Sequence, residues 1–164
     1  MPEKGRIAVL GVGNELRQDD AVGVVVARRL SQIDLPEGVE VIEGHVGGIN
    51  LLFEIEDADW AIIVDAVDMG KEPGAVEVFD ASEADVHVVE RTASLHHVSL
   101  ADVLQLAELT GVSTRVTLVG VQPETTMPGE GLSDTVAGRV EEVVELVRGL
   151  LQSETAAKGE GHAE

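Results

Sequence analysis

Apolar residues along this chain alternate between short continuous runs and stretches in which they recur every three to four positions. Arg6–Val12 is a buried-strand pattern, and after a glycine turn Val22, Val25, Val26, Arg29 and Leu30 follow at helical spacing up to about Ile33. Val39–Glu43 reads as a second strand, Ile49–Ile55 as a helix-like apolar stretch, and Trp60–Ala66 as a third, strongly apolar strand. Val76 and Val78 alternate with Glu77 within Gly74–Phe79, which predicts an edge or hairpin strand. The acidic, poorly patterned Ala81–Ser94 reads mostly as loop. Leu100, Val103, Leu104, Ala107 and Leu109 predict a helix that Gly111 stops, Arg115–Val121 a further β-branched strand, and Ser133–Leu151 one long amphipathic helix with Ser133 as N-cap.

Strands that alternate with helices imply βαβ units, hence an α/β fold with a small, mostly parallel sheet and helices on both of its faces. Only Trp60, Phe53 and Phe79 are aromatic, so the core is built from Val, Leu, Ile and Ala, which suits parallel strands buried on both sides. The 164 residues fit a single domain over 1–152, and the Ala/Gly/Glu/Lys composition from Ser153 to Glu164 reads as a disordered tail.

Charge and cysteine content narrow the function. Eleven Lys and Arg stand against 31 Asp and Glu, and a net charge of −20 repels nucleic acid and anionic membranes. The absence of cysteine removes thiol nucleophiles and thiolate metal sites and fits a reducing compartment. The N-terminus passes directly into a strand pattern without the apolar stretch of a signal peptide, which predicts a cytoplasmic protein.

The densest chemistry lies between Gly11 and Gly23. Gly11-Val-Gly13 after a strand invites a dinucleotide-loop reading, but position 16 is Leu rather than the third glycine. Glu15, Asp19 and Asp20 would also repel a phosphate from the start of the helix. Asp19 or Asp20 could instead cap that helix, whereas Glu15 sits in the turn itself. The strand C-termini of a parallel sheet share one edge, so Glu15 after the first strand and Asp65 at the end of the third should meet there. His96 or His97 in the loop before the Ser99 helix should join them. Two carboxylates and an imidazole make a site for a divalent transition metal such as nickel or zinc, or a set of acid/base groups. His45 lies near the same edge, while His87 and His162 read as solvated. No Gly-x-Ser-x-Gly elbow and no His-Glu-x-x-His helix is present.

Taken in order, Gly11-Val-Gly-Asn-x-Leu-x-x-Asp-Asp-x-x-Gly23, the strand ending at Asp65, Ser94-Leu-His96, Gly120-Val-Gln-Pro123 and Gly131-Leu-Ser133 resemble the nickel-iron hydrogenase maturation proteases. The likeness runs from Ile7 to about Leu150. It implies a three-layer α/β/α sandwich around a twisted sheet. It also implies an endopeptidase that removes a C-terminal extension from the hydrogenase large-subunit precursor once nickel is inserted, so that the metal belongs to the substrate and no tightly held cofactor is expected. The family's ligands to that nickel map onto Glu15, Asp65 and His96, the last preferred over His97 because it stands four residues before Leu100. The water that cleaves the bond would be activated by a carboxylate, as in acid proteases, with Asp19 the candidate, or by the metal. Two positions depart from the family pattern: Ala21 stands where glycine is usual, and His45-Val46 where Gly and Thr are common. The competing readings are a nucleotide-binding module whose carboxylates are caps, and a non-proteolytic nickel metallochaperone using the same three residues.

Overall fold

A computed structural model describes residues 5–45, 49–80 and 114–161. The predicted loop Ala81–Ser94, the Ser99–Thr110 helix, and His87, His96, His97 and His162 lie outside the described residues. Five strands form one sheet: β1 (Ile7–Val12), β2 (Val39–His45), β3 (Trp60–Ala66), β4 (Val76–Asp80) and β5 (Arg115–Val121), in the order β2-β1-β3-β5-β4. Four strands run parallel, and β4 joins the edge antiparallel to β5, as its alternating pattern predicted.

From β1 the chain steps through α1 (Val22–Leu30) to β2 on one side, then through α2 (Ile49–Glu56) back across β1 to β3 on the other. Right-handed crossovers that move in opposite directions across a sheet place their helices on opposite faces. The core divides accordingly. On one face Val22, Val26 and Leu30 of α1 pack with Val9, Ile62 and Val119 of the sheet and with Val143, Val147 and Leu151 near the C-terminus. On the other, Leu51, Leu52 and Ile55 of α2 pack on Leu10, Ile63 and Leu118. This is the expected three-layer sandwich. Because the central strands are covered on both sides, every residue of β1 and β3 is buried, and their apolar runs are continuous for that reason.

Helix α1 lies unusually close to β1, and glycine permits it. A Cβ on Gly11 would stand 2.1 Å from the Gly23 carbonyl oxygen, and one on Gly23 would stand 2.1 Å from the Val64 oxygen and 2.4 Å from the Val12 oxygen. The two glycines therefore let backbone pack on backbone.

The predicted helix from Ser133 to Leu151 is two helices. Ser133 is the N-cap, its Oγ accepting from the Val136 N–H at 3.3 Å, and α3 (Asp134–Ala137) is one turn long. The chain breaks at Gly138, which gives up helical stability most readily, and resumes as α4 (Val140–Gly161). Helix α4 continues past Leu151 to Gly161, so the backbone of 153–161 is helical where composition suggested a disordered tail. The Glu, Ala and Lys of that stretch propagate a helix once a packed segment has nucleated it. No described helix is long and apolar enough to cross a membrane.

Candidate active site at the sheet switch point

The connections leave β1 and β3 in opposite directions, so a crevice opens between their C-terminal ends, the place where open α/β sheets collect ligands. Asp65 occupies the sixth position of β3, paired in register with Gly120 of β5. It is buried at 2% exposure, and its Oδ1 accepts from the Ala66 N–H at 2.8 Å. Burial raises its carboxyl well above the usual carboxylate range and the charge of Asp20 raises it further, with the Ala66 N–H acting in the opposite direction. Asp65 thus favours its protonated form more than an exposed carboxyl does.

Glu15 emerges from the turn after β1 and is half-buried. Arg28 holds it from the second turn of α1: Nη2 donates to Glu15 Oε1 at 3.0 Å, and Nε of the same guanidinium donates to Glu43 Oε1 of β2 at 2.7 Å. One arginine ties the first turn to the neighbouring strand. Nothing local in the sequence signals it, because its two partners stand 13 and 15 residues away. His45 ends β2, and its backbone pairs with Val12 after a shift in register, on the same edge as Glu15. Among the described residues no three His, Asp or Glu groups gather as a metal site, and His96, the third predicted member, falls outside them.

The two central aspartates divide their work. Neither caps α1, whose N-cap is Ala21 with no side-chain hydrogen bond; both lie in a 3-10 turn, Gln18–Ala21, that precedes it. Asp20 is fully buried, and its Oδ2 accepts from the Asn14 N–H at 3.1 Å, closing the turn on itself. Asp19, equally buried, reaches across to the segment after β5. Its Oδ2 accepts from the Glu124 N–H at 2.9 Å, the Thr125 N–H at 3.1 Å and the Ser133 hydroxyl at 2.8 Å, and its Oδ1 from the Ser133 N–H at 2.7 Å. A carboxylate that accepts four donors is a clamp between two loops, and sequence reasoning had no means of finding its partners.

Backbone bonds continue the seam. The Gln18 N–H donates to the Gly129 oxygen at 3.0 Å, the Gly129 N–H to Leu16 at 2.9 Å, and the Asp19 N–H to Thr125 at 3.1 Å. Gln18 adopts the left-handed region at φ 45° to make this fit. Gly13 is also left-handed, at φ 152°, and a Cβ there would stand 1.9 Å from the Asp20 carbonyl oxygen. The room that a phosphate loop would leave open is filled by the protein's own backbone. Ala21, one of the two departures from the family pattern, sits at φ −81°, which any residue adopts, so glycine is not needed there.

The segment after β3 is fastened from β5. Gln122 is buried, its Oε1 accepting from the Met69 N–H at 2.6 Å and its Nε2 donating to Asp68 Oδ1 at 3.2 Å. The described loops after β1, β3 and β5 are thus fastened by buried side-chain acceptors.

Comparison with known proteins agrees with this architecture. The family described as HycI, hydrogenase maturation protease, matches residues 24–149. The hydrogenase 2 maturation protease of Escherichia coli (strain K12) is 38% identical over 150 residues, covering 90% of this chain and 91% of that protein. The solution structure of an endopeptidase from Escherichia coli superposes with a TM-score of 0.83 at 38% identity, over 91% of this chain and 93% of the other. The crystal structure of the [NiFe] hydrogenase maturation protease HycI from Thermococcus kodakarensis KOD1 superposes with a TM-score of 0.73 at 28% identity, over 92% and 94%.

Proposed function

From the premise that this chain belongs to the hydrogenase maturation protease family, we propose that it cleaves the C-terminal extension from a nickel-iron hydrogenase large-subunit precursor in the cytoplasm, recognising the nickel already inserted there. The observation that supports the reading is that Glu15 follows the end of β1 and Asp65 lies near the end of β3, adjacent parallel strands whose C-terminal ends share one edge. With His96 they supply two carboxylates and an imidazole, a donor set suited to a divalent transition metal, with coordination positions left for the precursor's own ligands. The nickel is substrate. Gripping it anchors the tail and orients the scissile bond, which an activated water then hydrolyses as in an acid protease. Asp65 gives up its proton as the metal enters, so engagement weakens at low pH, and an unloaded precursor lacks the metal contact altogether.

The test is processing of a nickel-loaded precursor by the intact protein and by Glu15→Gln, Asp65→Asn and His96→Gln. Each single replacement is expected to abolish the mature-size product while leaving the circular dichroism spectrum unchanged, and wild type is expected to leave a nickel-free precursor uncut. Normal processing by all three variants, or equal cleavage of loaded and unloaded precursor, would overturn the assignment.

A further inference from the structure

Arg17 lies on the catalytic edge, between Glu15 and the Asp19 clamp. Every other Arg or Lys whose side chain the structure describes, from Arg6 with Glu40 to Arg148 with Glu145, has a carboxylate within ion-pair distance. Arg17 has none among the described residues, although acidic residues outnumber basic ones 31 to 11 in the chain. Its Nε is also buried without a hydrogen-bond acceptor. A shielded guanidinium donor with neither acceptor nor counter-ion is uncommon and calls for one.

Two exposed apolar residues stand on the same pair of joined loops. Leu16 precedes Arg17 in sequence, and Met127 lies on the segment joined to this loop: Gly129 donates to the Leu16 carbonyl, and Gln18 Nε2 donates to that of Met127 at 3.4 Å. Leu16 and Met127 are each 65% exposed, the most exposed large apolar side chains among the described residues. The surrounding surface carries exposed Glu124, Glu130 and Asp134. Such a field repels a generally acidic ligand and leaves Arg17 as the one described point that attracts a negative group.

We propose that Arg17 is a specificity-determining residue that takes a carboxylate on the precursor's C-terminal tail, while Leu16 and Met127 receive apolar side chains of the same segment. This rests on the reading of the protein as the protease of that precursor. The occupant fits by charge: an apolar stretch bearing an isolated carboxylate matches one cation flanked by two apolar side chains inside an acidic rim.

The experiment has two arms. In the first, a synthetic tail peptide is titrated against the intact protein by fluorescence anisotropy, with Arg17→Gln, Arg17→Lys, Leu16→Asn and Met127→Asn alongside. Arg17→Gln is expected to weaken binding about tenfold, and Arg17→Lys by less, since a point charge keeps attraction but loses the fork. Wild-type affinity is expected to fall with added salt, and Arg17→Gln to lose that dependence, which a purely structural role would not produce. Leu16→Asn and Met127→Asn are expected to weaken binding severalfold without changing its salt dependence. Replacing the tail's acidic side chains by amides, or amidating its terminus, identifies the carboxylate: one of these peptides should bind wild type and Arg17→Gln equally.

The second arm measures cleavage of the loaded precursor, where Arg17→Gln is expected to raise KM about tenfold with kcat within twofold. Equal peptide binding by wild type and Arg17→Gln, no binding by wild type, or self-association of the protein lost in Leu16→Asn would overturn the inference. Peptide binding that depends on Arg17 without any cleavage by wild type would instead overturn the protease reading and leave the docking point standing.

Discussion

Replacing Asp19 by Asn tests the division of labour between the aspartates. The side chain is buried and accepts four hydrogen bonds, three on Oδ2 and one on Oδ1. The best placement of an amide keeps its oxygen at the Oδ2 position and turns its NH2 toward the Ser133 N–H, so two donors face each other across 2.7 Å. A hydrogen bond to a charged group contributes about 1.5–3 kcal/mol, and the three that remain lose their charge assistance, so the cost should be roughly 3 kcal/mol. In a chain of this size that corresponds to a fall in Tm of about 10 °C. Urea unfolding followed by circular dichroism measures it, with an unchanged m-value showing that native compactness is kept.

Ser133→Ala removes the hydroxyl donor to Asp19 and the cap of α3, and should cost about 2 kcal/mol. Because Asp19→Asn weakens, by loss of charge, the same hydroxyl bond that Ser133→Ala removes, the double variant should fall short of the sum by about 1 kcal/mol. Cleavage supplies the decisive reading. At a temperature where Asp19→Asn is folded, a clamp predicts processing within about tenfold of wild type, whereas loss of a general base costs about 10²–10⁴-fold. An Asp19→Asn variant within 0.5 kcal/mol of wild type, or a folded one that has lost activity about a thousandfold, would refute the clamp.

Asp65→Asn should abolish processing yet raise Tm at neutral pH. The folded protein holds a proton on Asp65 that the unfolded chain releases, so stability falls as pH rises from the ordinary carboxylate range, near pH 4, through the raised value. The amide should flatten that part of the profile, and an unchanged slope in Tm against pH between wild type and variant would count against the burial argument. Gly23→Ala should cost about 3 kcal/mol or more, because its methyl would overlap the Val64 and Val12 carbonyl oxygens, which belong to the sheet backbone and cannot rotate away. A Gly23→Ala protein with wild-type urea midpoint would show that α1 can lift from the sheet at no cost.

The sequence alone determined the strands and their layering. Trp60–Ala66 and Arg115–Val121 have the limits their apolar runs suggested, because a strand covered on both faces is apolar along most of its length, Asp65, Arg115 and Thr117 being the polar positions. The pattern failed where it cannot speak: periodicity continues across Gly138, so one helix was expected where backbone propensity makes two. Glu15 and Asp65 were legible as candidates because the topology of alternating strands and helices fixes which ends share an edge.

What those residues touch was decided only by the tertiary structure. The Asp-Asp pair reads locally as a helix cap, yet Asp19 binds Ser133, 114 residues away, and Asp20 acts on Asp65 through burial in the same interior. Gly23 gave no sign of its part until β3 lay beneath it. Local order follows from which neighbours along the chain are apolar. Hydrogen bonds and charge coupling across the sheet edge depend on distances that exist only once β1, β3 and β5 are side by side.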